Sequence, residues 1–346
     1  MNAKAGLRVQ GFKGSKVEES KAPNPSTLQP FDPATHFASK WPHRLALLTA
    51  ACTLPLLFIG GLVTSKGAGL AVPDWPTTFG YNPFLYPWSQ MVGNIFYEHS
   101  HRLVASAVGF LTVLLALVLW LREKQSWLRW LGAAALALVV AQGIVGGLRV
   151  VLLEQTLAVI HACLAQAFFA LTASLALFTS QEWRESPPKI EIPDAGRLQR
   201  LCLITTGLIY MQGLFGAVLR HTGAMLEIHL IFALLVALHV ILLGARIFTR
   251  HLERPELLRP LLLLSGLLFA QLALGLGAYV GKFVVSLPAM LGVTLRTSHV
   301  VVGALMLASS LVLTLRSFKL LTRSRLMEQP GFVVAGAAGR SEEVSA

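Results

Sequence analysis

Eight apolar runs, each about 20 residues long, divide the chain at 43–63, 99–121, 127–148, 156–180, 198–220, 226–248, 257–281 and 296–318. A bilayer core about 30 Å thick needs roughly 20 residues of helix to cross it. Backbone polar groups in lipid must bond within their own segment, so each run predicts a transmembrane α-helix. The expected fold class is therefore an all-α integral membrane protein with eight spans.

Composition strengthens this reading. Hydrophobic residues make up 54% of the 346 positions, charged residues only 13%, and mean hydropathy is +0.63. A soluble chain carries about a quarter charged residues. The net charge of +12 could suggest a nucleic-acid partner, but the basic residues punctuate apolar runs and form no stripe, so none is expected. Instead they set orientation. With the N-terminus inside, 23 of the 29 Lys and Arg fall on the inner side, and six (Lys66, Arg102, Arg149, Arg220, Lys282 and Arg296) fall outside. This asymmetry predicts two cytoplasmic termini. The tail 1–42 lacks an apolar signal core and is expected to be a flexible cytoplasmic segment, as is 319–346. Cys52, Cys163 and Cys202 sit singly inside apolar runs, where they read as small buried hydrophobes.

The two halves of the chain echo each other. Gly60-Gly61-Leu62-Val63 is followed by Gly67-Ala68, and Gly216-Ala217-Val218-Leu219 by Gly223-Ala224 at the same offset. A Gln precedes a Gly by four residues at 142/146, 212/216 and 271/275. Small residues let transmembrane helices approach closely. The predicted architecture is two pseudo-symmetric four-helix bundles, 43–180 and 198–318, joined by a cytoplasmic linker at 181–197.

Four of the ten histidines obey the repeat: His101, His161, His229 and His299 open the second, fourth, sixth and eighth spans. These spans run in one direction, so the four imidazoles are expected at one depth, as the pairs 101/161 and 229/299. Paired imidazoles in a bundle suit a planar haem, and a histidine in a membrane helix points first to function. The bland alternative is interhelical hydrogen bonding. His36, His43 and His251 read as solvated loop residues, His239 as a packed one, His99 as facing away from His101, and His221 as a candidate for the mouth of the second bundle. Glu98, three residues before His101, shares its helix face. It either orients that imidazole or relays protons, or it caps the helix start. The loop 64–98 is rich in aromatics and prolines, which fits either an interfacial belt or a lid over the first pair.

These residues resemble the haem A synthase family. The likeness rests on Gly60-Gly61-Leu62-Val63-Thr64, Asp74-Trp75-Pro76, Glu98-His99-Ser100-His101-Arg102, the stretch Gln142 to Arg149, Arg220-His221-Thr222-Gly223-Ala224 and the four span-opening histidines, over about residues 43–320. The resemblance implies an enzyme of the bacterial inner membrane that oxidises the C8 methyl group of haem O to a formyl group by successive hydroxylations and loss of water. It implies that His101 and His161 hold the substrate haem beside a catalytic Glu98, and that His229 and His299 hold a haem b cofactor. Haem O would come from a haem O synthase, an electron donor is required, and a homo-oligomer is compatible. Many family members carry a cysteine pair in the first outer loop, and 64–98 has none, so the electron route here cannot use one. Arg149 and Arg220, at outer helix mouths, either grip haem propionates or snorkel. The rival readings are a di-haem b-type electron-transfer cytochrome, which leaves Glu98 without a second-half counterpart, and a weaker one, a transporter.

Overall fold

The computed structural model describes residues 39–323. Eight helices in it are long and apolar enough to cross a membrane. They are α1 (Trp41–Ser65), α2 (Gly93–Arg122), α3 (Ser126–Leu152), α4 (Gln155–Thr179), α6 (Ala195–Thr222), α7 (Leu226–Arg250), α8 (Pro255–Phe283) and α9 (Ala289–Leu320), with a single turn, α5 (Gln181–Arg184), between the halves. The chain is an integral membrane protein. Prolines open α1 and α8, where the missing N–H has no intrahelical partner to lose. Gly223 ends α6 at φ +78°, a left-handed cap that a side chain disfavours.

In the first half α1 packs on α2 and α4, α2 on α3, and α3 on α4; in the second α6 packs on α7 and α9, α7 on α8, and α8 on α9. Helices α1, α4, α6 and α9 meet between them. The cores follow this division. Leu115, Leu119, Leu128 and Leu175 anchor one cluster, and Leu243, Ile247, Leu257 and Leu261 anchor another. A small third cluster of Leu57, Phe169 and Ala304 joins α1, α4 and α9. Large side chains such as Phe110, Leu234 and Phe269 stay exposed, as expected of surfaces whose solvent is lipid tail and not water.

The helices extend beyond the apolar runs. α2 begins at Gly93 and α9 at Ala289, six and seven residues before the predicted starts. Residues 181–197 and the start of the expected tail at 319 are also structured. A short parallel pair joins β1 (Ile190–Ile192) to β2 (Leu321–Arg323). At this end Glu123 pairs with Arg184, and Glu182 with Arg316. Two histidines expected in solvent are held here. His43 Nδ1 lies 3.0 Å from the Ala176 carbonyl, tying α1 to α4. His251 is buried 3.6 Å from the Asp194 carboxylate, which also pairs with Arg246. The expected loops fold back because these side chains find partners there. His36 and most of both expected tails fall outside the described residues.

Candidate functional site

Each of the four repeat histidines meets a glycine on the preceding transmembrane helix. A Cβ added at Gly60 would stand 3.0 Å from His101 Cε1; at Gly146, 2.9 Å from His161; at Gly216, 3.1 Å from His229; and at Gly275, 3.0 Å from His299. The pairs α1/α2, α3/α4, α6/α7 and α8/α9 thus carry one device four times: a glycine face against which an imidazole edge lies. The repeat extends one turn further. Four residues after each histidine stands Ala105, Ala165, Ala233 or Gly303, and four before each glycine stands Leu56, Gln142, Gln212 or Gln271.

The rings are partly shielded, yet all four Nδ1 atoms are buried without a hydrogen-bond partner. An orphaned buried polar atom is costly, so four at equivalent positions need an explanation. The Gln212 amide lies 3.4 Å from His229 Nε2 and the Gln271 amide 3.3 Å from His299 Nε2. Main-chain carbonyls of Gln142, Gln212 and Gln271 face the rings of His161, His229 and His299 without completing a hydrogen bond to Nδ1.

The imidazoles come in pairs. The His229 and His299 ring centroids are 6.3 Å apart at an interplanar angle of 68°, and His101 and His161 are within electrostatic reach of each other. With metal–nitrogen bonds of about 2 Å, a 6.3 Å centroid separation has the size required for two imidazoles sharing one metal ion. Neutral imidazole pairs of this kind fit haem iron. The residues present could hold a bis-histidine haem at His229/His299, and His101/His161 offer the same two imidazoles.

The loop between α1 and α2 is built around three residues of one helix turn. Glu98, 4% exposed, accepts from the Val72 N–H at 3.0 Å and from Arg102 at 2.8 Å. Arg102 also donates to the carbonyls of Val72, Asp74 and Thr77. His99, also buried, meets the Thr78 hydroxyl at 3.2 Å and packs on Tyr86. Within the loop, the Asp74 carboxylate accepts from Thr77 Oγ1 and from the backbone N–H groups of Phe79 and Gly80. Burial alone would raise its pKa, but these hydrogen bonds hold it down to about 2. The loop reaches the first histidine pair. Trp75 packs on Gly147, next to the glycine under His161, and Gly69 packs on the Arg149 guanidinium.

Glu98 is thus no helix cap, since α2 starts five residues earlier and carries no acidic residue in its first turn. Nor does any hydrogen bond join it to His101. The two arginines, alike in sequence, differ in surroundings. Arg220 donates to the Gly61 carbonyl and Ser65 hydroxyl of α1, each at 2.7 Å, and to the Arg296 carbonyl of α9 at 3.2 Å. Arg149 stands near His101, His161 and Glu98, among the described residues with neither a hydrogen bond nor an ion pair of its own. His221 is within electrostatic reach of Arg149, Arg220 and His161. His239 bonds its own helix at Leu235. Sequence reasoning missed the glycine partners and Arg102. The Gln-x-x-x-Gly spacing was the available signal for the former.

Comparison with known proteins identifies a family. The family model COX15-CtaA, described as cytochrome oxidase assembly protein, matches residues 43–229. A protein of Shouchella clausii named Heme A synthase is 32% identical over 188 residues, covering 53% of this chain and 60% of that protein. One of the same name from Alkalihalophilus pseudofirmus is 26% identical over 188 residues, covering 52% and 60%. The match thus spans about three-fifths of each relative's length. On the strength of the family match across more than half its length, the chain belongs to the COX15-CtaA family of cytochrome oxidase assembly proteins.

Proposed function

We propose that the protein is a haem A synthase, oxidising the C8 methyl of haem O to a formyl group. The observation that carries this reading is the fourfold glycine-backed imidazole, arranged as two pairs in a membrane protein of this family. The chemistry comprises two hydroxylations, each taking one oxygen atom from O2 with two electrons and two protons, followed by loss of water from the resulting diol. The first pair, His101 and His161, takes the substrate haem, and the second, His229 and His299, a resident haem b. Haem iron supplies the oxygen-activating and electron-passing capacity; the protein supplies position, charge and exclusion of water.

The asymmetry of the loop supports this division. It reaches the first pair, with Trp75 at Gly147 and Gly69 at Arg149, and a loop that excludes water protects a reactive centre. Glu98 holds that loop through Val72 and Arg102, and is the carboxylate placed to hold or pass a proton beside the first pair. Arg149, with its donors free, is the better candidate for a haem propionate; Arg220 bridges the two halves. The two halves are four-helix bundles, 43–180 and 198–318, related by the repeat, with both termini in the cytoplasm and the histidine end at the outer face of the inner membrane. Haem O delivery by a haem O synthase, an electron donor without a loop cysteine pair, and association into oligomers complete the reading.

The test is expression beside a haem O synthase in a host that makes no haem A, followed by chromatography of the extracted haems. Haem A is the expected product. Only haem b and unaltered haem O would mark a plain di-haem cytochrome.

A further inference from the structure

The two hairpin turns at the end remote from the histidines are built differently. The turn between α2 and α3 starts at Arg122, 21 residues beyond His101 (101 to 122), which is about 30 Å along the helix. Within 120–130 the cations are Arg122, Lys124 and Arg129, and the only carboxylate is Glu123. That carboxylate is turned inward. It is 7% exposed, accepts from the backbone N–H groups of Lys124 at 3.0 Å and Gln125 at 3.3 Å, and pairs with Arg184. Arg122 and Lys124 are exposed. Among the described residues none of the three cations has an ion-pair partner. Beside them stand three exposed tryptophans, Trp120, Trp127 and Trp130. Trp120 and Trp130 meet edge to face with centroids 5.7 Å apart, and the Arg129 guanidinium lies 5.8 Å from the centre of the Trp120 ring. Trp127 packs edge-on against Phe178 of α4. The counterpart turn, between α7 and α8, holds no tryptophan. There Arg246 and Arg250 face the Asp194 carboxylate, and Glu253 is exposed.

We propose that the α2–α3 turn is a binding site for the headgroup phosphate of an anionic phospholipid. A guanidinium stacked on an indole keeps its N–H edge free for a phosphate, so Arg129 is the fixed donor. Arg122 and Lys124, on long exposed side chains, supply the remaining charge around the headgroup. Tryptophan belongs at the level where hydrocarbon gives way to headgroups, and the exposed rings offer an apolar wall to the lipid's glycerol and upper acyl chain. Turning Glu123 inward removes the one group here that would repel the anion. The α7–α8 turn does not share the site, because Asp194 already answers two of its cations and Glu253 faces outward. Each cation near an anionic membrane surface adds roughly fivefold to the attraction. The turn should therefore prefer anionic over zwitterionic lipid by about 10-fold or more. The proposal does not depend on the haem reading.

The test is native mass spectrometry of the full chain purified in detergent, titrated with phosphatidylglycerol or with phosphatidylcholine of matched acyl chains. The wild type is expected to bind its first phosphatidylglycerol about 10-fold more tightly than phosphatidylcholine. R122Q/K124Q/R129Q should lose that preference, and R254Q/R259Q, which removes charge at the counterpart turn, should keep it. An excess of inorganic phosphate should leave the lipid bound. Equal binding of the two lipids by the wild type, or an undiminished preference in the triple variant, overturns the proposal. So does an equal loss in R254Q/R259Q, or displacement of the lipid by inorganic phosphate. Should the triple variant fail to fold, tryptophan fluorescence of the wild type in phosphatidylcholine vesicles decides. Phosphatidylglycerol brominated in its upper acyl chain should quench more than the same mole fraction of brominated phosphatidylcholine, and equal quenching overturns the proposal.

Discussion

Replacing Gly275 by alanine sets two effects against each other. In the interior of α8 the change should favour the helix by up to about 1 kcal/mol, because alanine loses less backbone freedom than glycine. The new Cβ would stand 3.0 Å from His299 Cε1 and 3.5 Å from its Nδ1. Carbon atoms in contact prefer about 3.5–4.0 Å, so the ring must retreat by roughly half an ångström or more. A metal site tolerates displacements of about 0.2 Å in its ligand distances. Gly275→Ala should therefore cut haem retention by about 10- to 100-fold, the range seen when a ligand loses its support, equivalent to about 1.4–2.8 kcal/mol. The assay is a pyridine haemochrome measurement of haem per purified chain, taken beside thermal unfolding of the haem-free protein. The expected result is reduced haem with an unfolding temperature equal to or above that of wild type. Full haem content in the alanine variant would refute the reasoning that the glycine face exists for the imidazole.

Other consequences follow from particular contacts. Glu98→Ala leaves Arg102 without its carboxylate and Val72 N–H without an acceptor. Breaking such a buried pair costs about 3 kcal/mol or more, so limited proteolysis should cut inside 66–92, and an unchanged digestion pattern would contradict the loop-anchoring role. Arg220→Lys keeps the charge but cannot reproduce three donations to α1 and α9; thermal unfolding should begin earlier by an amount matching about 2–3 kcal/mol, whereas equal stability would deny the bridge. For Asp74 the carboxylate pKa is lowered to about 2 from 3.8. Its ionised form thus stabilises the loop fully above about pH 4, and that support fades as pH falls toward 2. Pepsin should attack the wild-type loop increasingly across this window, and Asp74→Asn should be cut readily already at its upper end with little further pH dependence.

The eight helices were legible because a bilayer dictates their length and apolarity, and no soluble fold competes for such runs. The four histidines were legible because each opens an even-numbered span. What the chain did not disclose was pairing across helices. Gly60 and His101 are 41 positions apart, and only the packing of α1 on α2 shows that one exists for the other. Arg149 and Arg220 look alike on paper, yet one finds three acceptors and the other none. Glu98 was read toward His101 by helical spacing, while its oxygens turn to Val72 and Arg102, partners supplied by a loop whose fold has no periodicity to read. His251 was assigned to solvent because sequence cannot foresee Asp194 waiting beside it.

The most direct test of the central claim is low-temperature electron paramagnetic resonance of the oxidised, haem-loaded protein and of its His229→Ala and His299→Ala variants. Two imidazoles sharing one iron at each pair predict low-spin ferric signals in the wild type, and either substitution should convert the second pair's share to high-spin or abolish it while the first pair's share remains. An undiminished low-spin signal in the variant with all four histidines, His101, His161, His229 and His299, replaced by alanine would contradict the account.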